Sequence, residues 1–304
     1  FLLKKAWANA PRLSLVLGVL CIGLSQVHSQ IQEPPEPNEE IIHYRDSSDL
    51  ADPIALLQKK IDAGQVNLQF EPKNGYLTSV LSALKVPSSS QCLVYSKTSQ
   101  LADLISPKTP RAIYFNDEAY VAFVQGADHL ELAMTDPKKG AVFYSLEQRP
   151  DEHPKFVRRF DCVRCHLGPK TMSVPGFLVR SAMTSPEGRP LSQVTEFVSG
   201  HTSPMDQRWG GWYVTGTHKN DLHMGNVFLD SFAHRDKFDK KLGANVTDLK
   251  PYFDTTKYLT PHSDIVALLV LDHAVRMHDL IAHASYETRI AQHNREEAAS
   301  SGGK

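Results

Sequence analysis

Three scarcities bound this sequence. Cysteine is rare: four thiols in 304 residues, at positions 21, 92, 162 and 165. So few cannot staple a small scaffold, which excludes the disulfide-rich secreted class. Charge of one sign is missing too. The 33 basic and 34 acidic side chains leave a net charge of -1, so no global field recruits nucleic acid or an anionic membrane. Long apolar runs are also lacking. The longest, Leu13 to Leu24, is about half of the ~20 residues a spanning helix needs. What remains is an ordinary globular balance, 41% hydrophobic and 22% charged, with material for a buried core.

The short apolar run has a function-bearing context. Lys4, Lys5 and Arg12 precede it, and Val27-His28-Ser29 follows it. That order reads as a secretory signal over residues 1–29, cut after Ser29, and places the mature protein in the periplasm or another extracytoplasmic space. Cys21 leaves with the signal. Residues 30–50, with Pro34, Pro35 and Pro37 among acidic residues, read as a linker. The chain opens at Phe1 and ends on Ser300-Ser301-Gly302-Gly303-Lys304, so it is expected to be a fragment of a longer protein.

Periodicity supplies the elements. Ile54, Leu56, Leu57 and Ile61 mark a helix closed by Gly64, and Leu77, Val80, Leu81 and Leu84 mark a second. Residues 112–115, 119–124, 130–134 and 141–145 are short β-branched and aromatic runs separated by turn residues, which predicts an antiparallel meander. The Cys92 segment looks like a further strand with a buried thiol. Residues 151–235 are crowded with Gly and Pro, so loops and short strands are expected, with strands at 193–198, 212–217 and 222–229. From Ser263 the pattern is helical to about Arg289, with Thr260 or Ser263 as cap. The fold class is α+β. The regions are 51–150 (N-terminal α+β), 151–235 (the chemistry) and 236–304 (helical).

The chemistry lies in Cys162-Val163-Arg164-Cys165-His166. A c-type haem is joined to protein by two thioethers, and the following histidine ligates iron. Porphyrin geometry therefore dictates the C-x-x-C-H spacing. A zinc site would need two more soft ligands, and the mature chain has only Cys92 to add. The expected cofactor is one covalent haem c, with His166 on the iron.

The other axial ligand is less determined. A two-residue turn at Asn220-Asp221 would pair His218 with His223, placing their Cβ atoms about 5 Å apart on one face and Met224 on the other. His223, His218 and Met224 are thus the distal candidates, with His201 and Met205 next. Trp209 and Trp212 could flank a flat cofactor and Arg208 could bind a haem carboxylate, or the segment could be a core-anchored turn. Lys155, Arg158, Arg159, Arg164 and Lys170 surround the motif as a basic rim, solvated or facing an acidic redox partner.

Several segments in order carry a resemblance: 106–117, Val174-Pro175-Gly176-Phe177-Leu178-Val179-Arg180-Ser181, 208–218, His223-Met224-Gly225-Asn226 and 263–268. Over about Asp52 to Arg289 the chain resembles uncharacterised bacterial proteins with a cytochrome c domain, of the kind found in planctomycetes. The resemblance implies haem binding and electron transfer through Cys162, Cys165 and His166. It implies no substrate. Three functions stay open: an electron carrier first, then a peroxidase- or oxidase-like enzyme, for which the chain outside the haem segment is larger than a minimal carrier needs, and a haem-based sensor. No stable membrane span is expected once the signal is removed.

Overall fold

The computed structural model describes residues 38–192 and 197–301. The signal reading, and most of the 193–198 strand, fall outside the described residues. The fold is α+β, as the pattern of elements predicts.

Seven antiparallel strands form the main sheet in the order β6-β5-β4-β3-β2-β1-β9. Strands β2 (Arg111–Phe115), β3 (Ala119–Phe123), β4 (His129–Asp136), β5 (Gly140–Glu147) and β6 (Phe156–Arg158) are the expected meander. β1 (Cys92–Val94) extends it, and β9 (Trp212–Tyr213) closes the far edge by pairing with Leu93 and Val94. A separate pair joins β7 (Val179–Ser181) to β8 (Phe197–Ser199).

The two faces of the sheet differ in chemistry. Along β4 burial alternates residue by residue, as a period of two requires. Leu130, Leu132 and Met134 are buried, and α2 (Pro53–Asp62) packs on this strand. Asp52 caps α2 by accepting from the N–H groups of Ile54 and Ala55, and its other oxygen accepts from the Tyr144 hydroxyl at 2.7 Å. The opposite face carries the row Ile113, Ala122, Glu131, Ser145, in register across four strands. Over that face lie α4 (Val163–His166), its following loop and α5 (Ile265–Ser301).

Several expectations are corrected. Residues 38–50 are not a bare linker. They form α1 (Glu39–Ile42) and bury Ile42, Tyr44 and Leu50, because Lys139 needs the carbonyls of His43 and Asp46 for its buried ammonium. Residues 214–229 form no ladder, since Asn226 satisfies the Val214 N–H and C=O with its side chain instead. α5 is capped by Asp264, whose carboxylate accepts from Val266 and Ala267, while Ser263 is buried and bridges β1 to β9. Among the described residues no helix is long and apolar enough to cross a membrane.

Candidate functional site

The cysteine motif forms a single helical turn. His166 N–H donates to the Cys162 carbonyl at 3.1 Å, so Cys162, Cys165 and His166 stand at i, i+3 and i+4 on one face. Leu167 is extended, and Gly168-Pro169 turns the chain away, which ends the helix. The loop then folds back. Gly176 N–H donates to the His166 carbonyl at 2.9 Å, and the His166 Nδ1–H donates to the Gly176 carbonyl at 2.9 Å. One residue thus holds both the backbone and the ring of His166. Nδ1 is committed, the tautomer is set, and Nε2 keeps its lone pair.

His166, Cys162 and Cys165 line a cavity of about 180 Å³ over the half-buried face of the sheet. Arg111, Ile113, Ala122 and Glu131 contribute its floor, and Leu271 and Val275 of α5 its far wall. Phe143 packs on the His166 ring at 4.9 Å between centroids. Burial pushes the His166 pKa down to about 4, so the imidazole is neutral at physiological pH. Burial likewise pushes the Cys162 thiol up to about 12, with Asp161 adding to it. Cys92 is fully buried in β1 and does not line the cavity.

Space and donors can be tested against a haem. Two sulfurs and a neutral imidazole with a free Nε2 on one helical face match what the group demands. The enclosed volume is smaller than the ~300–1,000 Å³ of a site that engulfs its ligand. A haem here would therefore stay partly exposed at the mouth, where Cys165 itself is exposed.

The distal candidates are elsewhere. His218 and His223 do meet, with ring centroids 4.8 Å apart, but neither they nor Met224 are among the residues lining the cavity. His218 Nδ1–H donates to the Asp221 carbonyl at 2.7 Å, and its Nε2 accepts from Asn245 N–H at 3.0 Å, so both nitrogens are structural. His223 is fully buried against Trp209, and Met224 turns its sulfur to Ser181. His201 rests on His273, and Met205 is likewise outside the cavity. Of the tryptophans, only Trp212 lines the cavity, its indole N–H donating to the Arg180 carbonyl at 2.7 Å. Trp209 and Arg208 belong to the core-anchored turn: both donate to Asp272 Oδ2 at 3.1 Å. In the basic rim, Arg159 pairs with Asp161 and Arg158 donates to the Tyr44 carbonyl, which makes these two structural.

The floor residues Arg111 and Glu131 are invisible to motif reading. Their signal was the polar position repeating on one face of strands that are otherwise apolar. Gly176 was visible only as part of a breaker-rich segment.

Two expected results follow from the clamp. A Cβ at Gly176 would collide with Asp279 Oδ1 and come within 2.9 Å of Thr171 Cβ. Gly176→Ala should therefore displace the His166 ring and lower stability by about 1–3 kcal/mol, read by chemical denaturation. Asp279 accepts from Phe177 N–H at 2.8 Å, and burial pushes its carboxyl up to about 7. An acid raised on folding holds its proton in the native state and loses it in the unfolded chain from about pH 4 upward. Stability is then lost as pH climbs from 4 to 7. Asp279→Asn should stabilise at pH 8, on the order of 2 kcal/mol, and change little at pH 4. Thermal melts at the two pH values check it, and equal effects at both would refute it.

No protein family model, curated protein or solved structure matched this chain.

Proposed function

We propose that the protein is an exported cytochrome c-domain protein that carries one covalent haem and transfers electrons, akin to the bacterial family it resembles. The observation that carries this reading is the helical turn that sets Cys162, Cys165 and His166 on one face at a cavity, with His166 Nδ1 already bonded to Gly176. When bound, the haem supplies one-electron chemistry, and the chain supplies attachment, orientation and a sheltered edge. Cys162 and Cys165 would hold the group, and His166 Nε2 would ligate its iron. Gly176 keeps that ring from rotating, and Phe143 packs against it. The partner is another redox protein reached outside the cytoplasm, with an acidic surface to match the basic residues near the motif.

The test is mass spectrometry of protein made with c-type maturation machinery. The polypeptide should carry a haem that resists acid-acetone extraction, and the double variant Cys162→Ala/Cys165→Ala should carry none. An unmodified wild-type mass rejects the reading. The mature amino terminus from a native host should begin at or near Gln30. Full-length protein in the cytoplasm would remove the compartment in which the haem is attached.

A further inference from the structure

We propose that Asp279 is a positioning residue for His166, acting through the Gly176–Phe177 peptide to make the imidazole a stronger electron donor at Nε2. The consequence for the cofactor rests on the haem reading; the geometry rests on the clamp alone.

The contacts run in one line. The His166 Nδ1–H donates to the Gly176 carbonyl at 2.9 Å. The Phe177 N–H donates to Asp279 Oδ1 at 2.8 Å. That carbonyl and that N–H are the two ends of a single planar peptide group. A carboxylate at the N–H end pushes electron density toward the carbonyl oxygen, because hydrogen bonds in series polarise one another, by roughly 10–30% per bond. The oxygen then accepts more strongly from Nδ1, and the ring gains basicity at its free nitrogen. A carboxylate bonded directly to a ligating histidine has the same effect. Here one peptide stands between the two groups. Gly176 fixes the line, since its own N–H donates to the His166 carbonyl at 2.9 Å and any side chain there would collide with Asp279 Oδ1.

Folding alone does not require an acid at this position. Asparagine would accept from Phe177 N–H with the same shape, and Asp279 is only 2% exposed, so its charge is costly. Burial pushes its carboxyl up to about 7, against the pull of the Phe177 N–H and of Arg276 on its own helix. Tyr120 on β3 also feels that charge, and its hydroxyl lies 2.9 Å from His278 Nδ1. An acid kept where it costs stability, one peptide from a committed imidazole, is what tuning of that imidazole calls for.

The experiment compares wild type with Asp279→Asn at pH 8, where the carboxylate is mostly ionised. Asparagine keeps the bond to Phe177 and removes the charge. Thermal melts establish that the variant is folded, and Asp279→Ser, which also removes the charge, takes its place if it is not. The first readout is histidine-selective 15N NMR of the full chain without haem, its thiols kept reduced, with the His166 signal assigned by its loss in His166→Gln. Wild type should show the Nδ1–H tautomer with a low-field, slowly exchanging proton. Loss of the charge should move that proton upfield, shift the Nε2 nitrogen with it, and speed exchange several-fold. The second readout is the reduction potential of the holoprotein. Loss of the charge should favour the reduced form several-fold, up to about tenfold, which is about 59 mV for one electron. His166 signals that stay in place overturn the proposal and leave covalent haem intact. A potential that shifts while those signals stay assigns the effect to charge acting through space, and overturns it too. A protein that binds no haem defeats the haem reading, and the NMR result still decides whether Asp279 reaches His166.

Discussion

Replacing Asp272 by Ala should cost about 3–5 kcal/mol, close to half the stability of an ordinary domain. Asp272 is fully buried on α5, and it takes a hydrogen bond from Arg208 Nη1 and another from the Trp209 indole, both at 3.1 Å. Arg208 is itself buried and sends its remaining donors to the carbonyls of His201 and Ser203. Alanine would leave a desolvated guanidinium without its counter-charge and an indole N–H without an acceptor. It would also release the 208–212 turn, whose Trp212 lines the cavity. Urea denaturation is the measurement. A loss below about 1 kcal/mol would show that the pair contributes no more than a surface contact.

Replacing His166 by Gly should separate attachment from ligation. On the proposed haem reading Cys162 and Cys165 remain to hold the group, so it should still be covalent by mass. The iron would lose its imidazole, and the Soret maximum and reduction potential should change. Added free imidazole should restore the spectrum, because the space left under Gly176 is imidazole-shaped and its carbonyl still accepts an N–H. If the spectrum of His166→Gly matches wild type, another residue is the proximal ligand. The pH behaviour carries a separate sign. His166 and His223 are both held neutral by burial, to about 4, with His218 adding to the effect on His223. A base depressed on folding stabilises above its unfolded pKa and loses that contribution as pH falls from about 6.5 to 4. Asp279, raised to about 7 chiefly by burial, acts in the opposite direction across pH 4 to 7.

Local rules were enough for the elements whose residues answer to their neighbours in sequence. The heptad-like spacing of Leu77 to Leu84 and the alternation in β4 arise from periods of 3.6 and 2, which any window displays. The same is true of the cysteine motif, whose i, i+3 and i+4 positions share a face in a single helical turn. The His218–His223 contact was also legible, although it is made in a turn and not across two strands.

The placement of that contact was not legible, and the reason is physical. A hairpin argument ranks residues by which face they share. It says nothing of which cavity that face meets, and the pair is kept in place by Asn245, a residue distant in sequence. Trp209 and Arg208 went to Asp272 because a buried carboxylate must find donors, and α5 brings it to them from more than sixty residues away. Tertiary structure alone brought Arg111 and Glu131 together, since their meeting depends on the pairing of β2, β3 and β4, which puts Glu131 in the row of Ile113 and Arg111 two residues along the same strand face. The sequence by itself determined that Cys162, Cys165 and His166 share one face of a turn, since a spacing of i, i+3 and i+4 is local. Only the folded sheet decided what that face would meet.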